Sequence, residues 1–137
     1  IGVYGKNSID WVLTEQSCNA YGLSLCPIYD TLGADSVEFI LQQTEMKTCV
    51  CAPAESVKLM MLLDKAPALK VIIHMGDIDE KTRNVAKEHG ITMYTVQEIL
   101  DIGHEHRVAN NPPHPDDICT PAAPPVFRRE FSCRTAI

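Results

Sequence analysis

The chain has 137 residues, with 12 basic and 18 acidic side chains, a net charge of -6 and 45% hydrophobic composition, which describes one globular domain or a part of one. An acidic chain has no overall field for attracting nucleic acid or anionic lipid. No uncharged apolar run approaches the ~18 residues of a membrane span.

The elements follow from changes of hydrophobic period. Gly2 to Tyr4 reads as the end of a short strand. Asn7 or Ser8 then caps a helix whose apolar face runs Ile9, Val12, Leu13 and on to Ala20, stopped by Gly22. Leu23 to Ile28 is predicted as a buried strand that ends around Pro27, and the loop Tyr29 to Gly33 leads into a helix with Val37, Ile40 and Leu41 on one face. Strands are expected at Thr48 to Cys51, Lys70 to His74 and Ile91 to Thr95, with helices at Ala54 to Leu63, Asp79 to His89 (ended by Gly90) and Val96 to Gly103. A polar linker, His104 to Asp117, precedes Ile118 to Thr120, the expected start of one more strand. Repeated strand and helix units with short loops predict an α/β fold built on a mainly parallel, doubly wound sheet.

From Pro121 the character changes. Pro121 to Ile137 holds three prolines, three arginines and one glutamate with no regular period, whereas residues 1–120 hold 9 basic and 17 acidic groups. The tail is expected not to continue the fold and to be disordered or out of frame. Because the chain begins at Ile1 inside an apolar run, with no leader or charged n-region, it is read as a fragment. Six cysteines at irregular spacings predict buried free thiols in a reducing compartment rather than a disulfide scaffold.

Few residues present a constellation for chemistry. Gly2 and Gly5 followed by Lys6 lack the spacing of a phosphate loop and read as a strand-end turn. His104, His106, His114 and Cys119 match no zinc spacing and are expected at the surface. Cys49 and Cys51, one residue apart, face the same side of a strand and are expected to pack in the core rather than form a redox pair. Asp77, Asp79 and Glu80 sit where a helix begins and are explained by capping and the helix dipole. No G-x-S-x-G turn exists for a serine nucleophile. The loop Tyr29 to Gly33 lies at the carboxyl end of a buried strand, where open α/β sheets place ligand contacts. Asp30 and Thr31 are expected there to turn and cap the next helix, with direct ligand contact as the alternative.

The run GVYGKNSIDWVLTEQSCNAYGLSLCPIYDTLGADSVEFILQQTE resembles the early part of the large N-terminal domain of eukaryotic long-chain fatty-acid–CoA ligases, members of the adenylate-forming (AMP-binding) superfamily. The helix with Asn7, Trp11, Glu15, Ala20 and Tyr21, the PIYDTLG block of Pro27 to Gly33, the helix with Val37, Ile40 and Glu45, and PPHPDDICT at Pro112 to Thr120 fall in family order. The resemblance covers residues 1–120. It implies an enzyme in which ATP and a fatty acid give an acyl-adenylate, which coenzyme A thiol then converts to acyl-CoA, with Mg2+ neutralising phosphate charge. It also implies an intracellular setting for the parent enzyme, cytoplasmic or at endoplasmic reticulum, peroxisomal or mitochondrial membranes. The implied partners are fatty acid, coenzyme A and the remainder of the ligase, with no nucleic acid.

After Thr120 the family continues into a phosphate loop of the YTSGTTG-x-PKG type, where this sequence has PAAPPVFRREFSCRTAI. No catalytic, cofactor-binding or metal residue is therefore assigned to this chain, which is expected to be inactive alone. Read two bases later, the codons of Pro121 to Val126 permit Cys-x-Thr-Ser-Gly; a retained intron or alternative exon would change the composition as abruptly. Two other functions remain open: a non-catalytic interaction or ligand-binding α/β module, and a stand-alone flavodoxin-like domain, for which GVYGKN is a poor phosphate or flavin loop.

Overall fold

The computed structural model describes residues 1–121; the rest of the divergent tail lies outside the described residues. Five strands, β1 (Gly2–Tyr4), β2 (Cys26–Ile28), β3 (Thr48–Cys51), β4 (Val71–His74) and β5 (Thr92–Thr95), form one sheet in the order β2-β1-β3-β4-β5. Every pairing is parallel. The helices are α1 (Ile9–Ala20), α2 (Ala34–Thr44), α3 (Pro53–Met60), α4 (Glu80–Glu88) and α5 (Val96–Glu105), with a 3-10 turn at Leu63–Lys65 after α3. This is the doubly wound architecture expected from the alternation of elements.

Period-2 alternation sorts the strands between two cores. Tyr4, Cys26, Ile28, Cys49, Cys51, Ile72 and Met93 point to one face, where α2, α3 and α4 cover them with Val37, Ile40, Leu41, Leu59 and Ala86. Val3 and Val50, joined by the partly buried Ile73, point to the other face, where Cys18 and Trp11 of α1 and Val96 of α5 pack. The first core is the larger, and the second is thinly covered.

Local chemistry sets the helix ends. Ser8 caps α1 by accepting from Trp11 N at 3.1 Å, Asp79 caps α4 through Thr82 N at 2.8 Å, and Thr95 with Glu98 forms a reciprocal capping box on α5. Arg83 Nη2 also donates to both carboxylate oxygens of Glu98, at 2.8 and 2.9 Å, which ties α4 to α5. At the end of α1, Gly22 adopts φ +63 and Leu23 N donates back to Cys18 O at 2.9 Å, a Schellman ending that needs a residue without a Cβ.

The structure corrects several expectations. The predicted apolar face of α1 does not meet the sheet: Ile9 is 87% exposed and Val12 and Leu13 are also exposed, while Cys18 and Trp11 point inward. The helix is apolar on two sides, and the sheet takes the side bearing the indole. Ile118 to Thr120 is not a strand; Leu25 N donates to Cys119 O at 2.9 Å and Ser24 Oγ to Ile118 O, so the segment lies against the approach to β2 without joining the ladder. Finally, α3 ends at Met60 rather than Leu63, because Leu62 N and Lys65 N take shorter-range bonds to Leu59 O and Leu62 O, which drops Leu62 and Leu63 into the core.

Candidate functional site

The loops beyond the carboxyl ends of the strands are where an open parallel sheet presents ligand contacts. The strand order reverses at β1, so the crevice between β1 and β3 is the first place to look, and there the backbone closes it. A Cβ on Gly5 would stand 2.9 Å from Ala52 Cβ, and Ala52 N donates to Tyr4 O at 3.0 Å. Gly5 is thus explained by close packing of two chain segments, as a strand-end turn, and not by a phosphate. The order β2-β1-β3-β4-β5 is that of flavodoxin-like sheets, but this contact leaves no cradle for a flavin phosphate or a nucleotide phosphate after β1. Gly5→Ala is expected to cost about 1–3 kcal/mol in urea unfolding by overpacking; a variant as stable as the parent would mean that the turn has room after all.

Beyond β2, the loop Tyr29 to Gly33 is held by two hydrogen bonds. Leu32 N donates to Tyr29 O at 3.1 Å, and Lys58 Nζ on α3 donates to Asp30 O at 3.2 Å. Asp30 and Thr31 do not cap α2, contrary to the expectation; the N-cap is Gly33, without a side-chain bond. Asp30 and Thr31 do form the expected turn, closed by the Leu32 N to Tyr29 O bond, and it delivers Gly33 rather than either side chain to the start of α2. Tyr29 projects outward, 57% exposed.

Lys58 joins this loop to a buried polar cluster. Its ammonium lies 3.7 Å from Glu55 Oε1 and 5.8 Å from the centre of the Tyr4 ring. Glu55 and Tyr4 are both buried, and the Tyr4 hydroxyl has no hydrogen-bond partner. Burial, reinforced by the Glu55 carboxylate, pushes the Tyr4 phenol above its ordinary range. The cluster anchors α3 over the ends of β1 and β2; it contains no nucleophile with an adjacent base.

A cavity of about 470 Å³ lies beyond β4, between α3 and α4. Val57, Met60, Ile78 and Val85 give it apolar walls, and Ser56, His74, Asp77, Asp79, Lys81 and Thr82 give it polar groups. His74 ends β4 and is only 6% exposed. Sequence reading passed over it, although a histidine closing the apolar run Val71, Ile72, Ile73 was a visible break in pattern.

The other sequence candidates are scattered. Cys49 and Cys51 lie buried on one face of β3, as expected, and desolvation raises both thiols, Cys49 to about 12. Asp79 caps α4 and Glu80 lies in its first turn, which accounts for those carboxylates. His104 lies in the last turn of α5, His106 at its end, His114 near Asp116, and Cys119 Sγ 3.4 Å from Asn19 Oδ1. Among the described residues no three histidine, cysteine or acidic side chains gather closely enough to hold a metal ion.

Comparison with known proteins gives a consistent likeness. Residues 1–120 match the family described as AMP-binding enzyme. The chain is 36% identical over 123 residues to long chain acyl-CoA synthetase 3 of Arabidopsis thaliana, covering 87% of this chain and 18% of that protein. It is 31% identical over 121 residues to long-chain-fatty-acid–CoA ligase 6 of Homo sapiens, covering 86% and 17%. It is 30% identical over 120 residues to long chain acyl-CoA synthetase 7, peroxisomal, of Arabidopsis thaliana, covering 88% and 17%. The chain spans less than a fifth of the length of these relatives. In fold it is similar to the A domain of carboxylic acid reductase from Segniliparus rugosus, solved with AMP and a co-purified carboxylic acid, with a TM-score of 0.77 at 16% identity over 87% of this chain and 21% of that one.

Proposed function

Because this chain belongs to the AMP-binding enzymes, we infer that it is a segment of a long-chain fatty-acid–CoA ligase, with residues 1–120 forming part of its large N-terminal domain. The observation that carries this reading is identity of 30–36% to proteins named as long-chain acyl-CoA synthetases and ligases along nearly the whole chain. The parent enzyme would use ATP to convert a fatty acid to an acyl-adenylate and then transfer the acyl group to coenzyme A, with Mg2+ offsetting phosphate charge. On this reading the tail of residues 121–137 stands outside the domain, and its origin is a matter for transcript sequencing across the Thr120 to Pro121 junction.

No catalytic, nucleotide-binding or metal-binding residue is assigned to this segment. The ground for that is the sequence after Thr120, which departs from the family's phosphate loop, and the tight packing at Gly5, which leaves no room for a phosphate there, so no step of the reaction is derived through this segment. The segment's contribution is architectural: a parallel sheet that presents its loops to the rest of the enzyme. Its apolar outer surface supports that role, since Ile9, Val12 and Leu13 on α1 and Leu100 and Ile102 on α5 are exposed and are suited to cover by the remainder of the ligase. No helix among the described residues is long and apolar enough to cross a membrane; the compartment is proposed to be that of the parent, inside the cell.

Two assays test this. With ATP, Mg2+, fatty acid and coenzyme A, the 137-residue chain alone is expected to form no acyl-CoA above the blank, and robust turnover would overturn the assignment of no catalytic residue. Residues 1–120 grafted into the Arabidopsis relative in place of its matched stretch are expected to support long-chain acyl-CoA formation. A folded graft without turnover would count against the ligase reading itself.

A further inference from the structure

The cavity between α3 and α4 has no task in the ligase reading, and its polar groups share one character. His74 Nδ1 faces the carbonyl oxygen of Gly76 at 3.2 Å, so in the neutral ring Nδ1 carries the proton and Nε2 is left as an acceptor. Among the described residues no donor reaches Nε2, and the ring, more than nine-tenths buried as a residue, lines the cavity. Ser56 Oγ donates its proton to Pro53 O at 2.9 Å and Thr82 Oγ1 donates to Asp79 Oδ2 at 2.8 Å, so both hydroxyls present lone pairs. Asp77 adds an exposed carboxylate in the loop that follows β4.

Few donors that would favour an anion face the cavity. The first turn of α4 is occupied by Asp79, which accepts from Thr82 N at 2.8 Å and is held below the usual carboxylate range chiefly by that bond. Lys81 is the one cation in the lining, and its side chain is exposed. Apolar walls and unfilled acceptors together select a ligand with a hydrocarbon body and N–H donors. We propose that this cavity binds a small amine, with its apolar part against Val57, Met60, Ile78 and Val85 and its ammonium donating to His74 Nε2 and toward Asp77. The volume lies within the range of small-molecule sites, and the position beyond a parallel strand is where such sites form.

The test is titration of the full chain with phenethylamine, followed by amide chemical shifts, with phenylacetate and ethylbenzene as matched anionic and neutral probes. Saturable shifts confined to His74 to Val85 and the first two turns of α3 are expected with the amine alone. His74→Leu should weaken binding by about tenfold or more. Should that variant melt early, Val85→Trp, at a partly exposed position of the cavity wall, fills the cavity while leaving His74 in place and should abolish the shifts. Phenylacetate binding as tightly as the amine, no saturation with the amine, or unchanged amine affinity in Val85→Trp would each overturn the proposal.

Discussion

Raising the pH above about 9 is expected to unfold this chain, through thiols that cannot ionise where they sit. Desolvation raises Cys26 from 9.0 to about 11 and Cys49 to about 12, and Cys51 is raised as well. The same groups in the unfolded chain ionise near their ordinary value. Between those limits the unfolded state holds fewer protons than the folded one, so stability is intact below about pH 9 and falls as pH rises toward the folded values. Each such thiol contributes a slope of about 1.4 kcal/mol per pH unit. By pH 11 Cys26 and Cys49 together remove on the order of 5 kcal/mol, comparable with the total stability of a small domain. Urea unfolding at a series of alkaline pH values checks this, with Cys26→Ala/Cys49→Ala as the reference. The variant starts less stable because it loses packing, but its stability should fall less steeply with pH. Parallel slopes for the two proteins would show that other groups drive the alkaline transition.

Removing Ile72 is expected to cost far more than removing Ile9, although both are isoleucines at apolar positions of regular elements. Ile72 is fully buried on β4, beneath the helices of the larger core. Ile72→Ala therefore loses transfer free energy and leaves a cavity, about 2–5 kcal/mol in all, enough to leave a marginal fragment mostly unfolded. Ile9→Ala removes a side chain that meets water and is expected to change stability by no more than ~0.5 kcal/mol. Midpoints of urea unfolding for the two variants decide it. A comparable loss at Ile9 would mean that the α1 surface is covered in solution, and sedimentation of the chain would then identify self-association.

How much of this was legible in the sequence depends on the range of the interaction. Ser8 and Asp79 were readable as helix starts because a cap acts within three residues, and Gly22 as a stop because the left-handed turn is local. The two-faced strands were readable because alternation needs no partner to be seen, which is how Cys49 and Cys51 were placed together in the core. The family likeness lay in the order of the helix and loop motifs. Against that, the bond from Lys58, 28 residues away, to the Asp30 carbonyl is announced by nothing in the loop itself. The amine-binding cavity was invisible for the same reason, since His74, α3 and α4 meet only once β4 has been laid beside β3.

By itself, then, the sequence determined the order of the elements through α5, the caps at Ser8 and Asp79, the parallel α/β class and the family, all written in local chemistry or in residue order along the chain. Tertiary structure alone decided which side of α1 is inside. Ile9, Val12, Leu13, Trp11 and Cys18 are all apolar, and a helix apolar on two sides has no preferred burial until a surface is offered to it. The sheet offered one face only, with room for the indole and the Cys18 thiol beside Val3 and Val50. It also decided that Gly5 meets Ala52 rather than a phosphate, because that contact exists only where β1 and β3 run side by side.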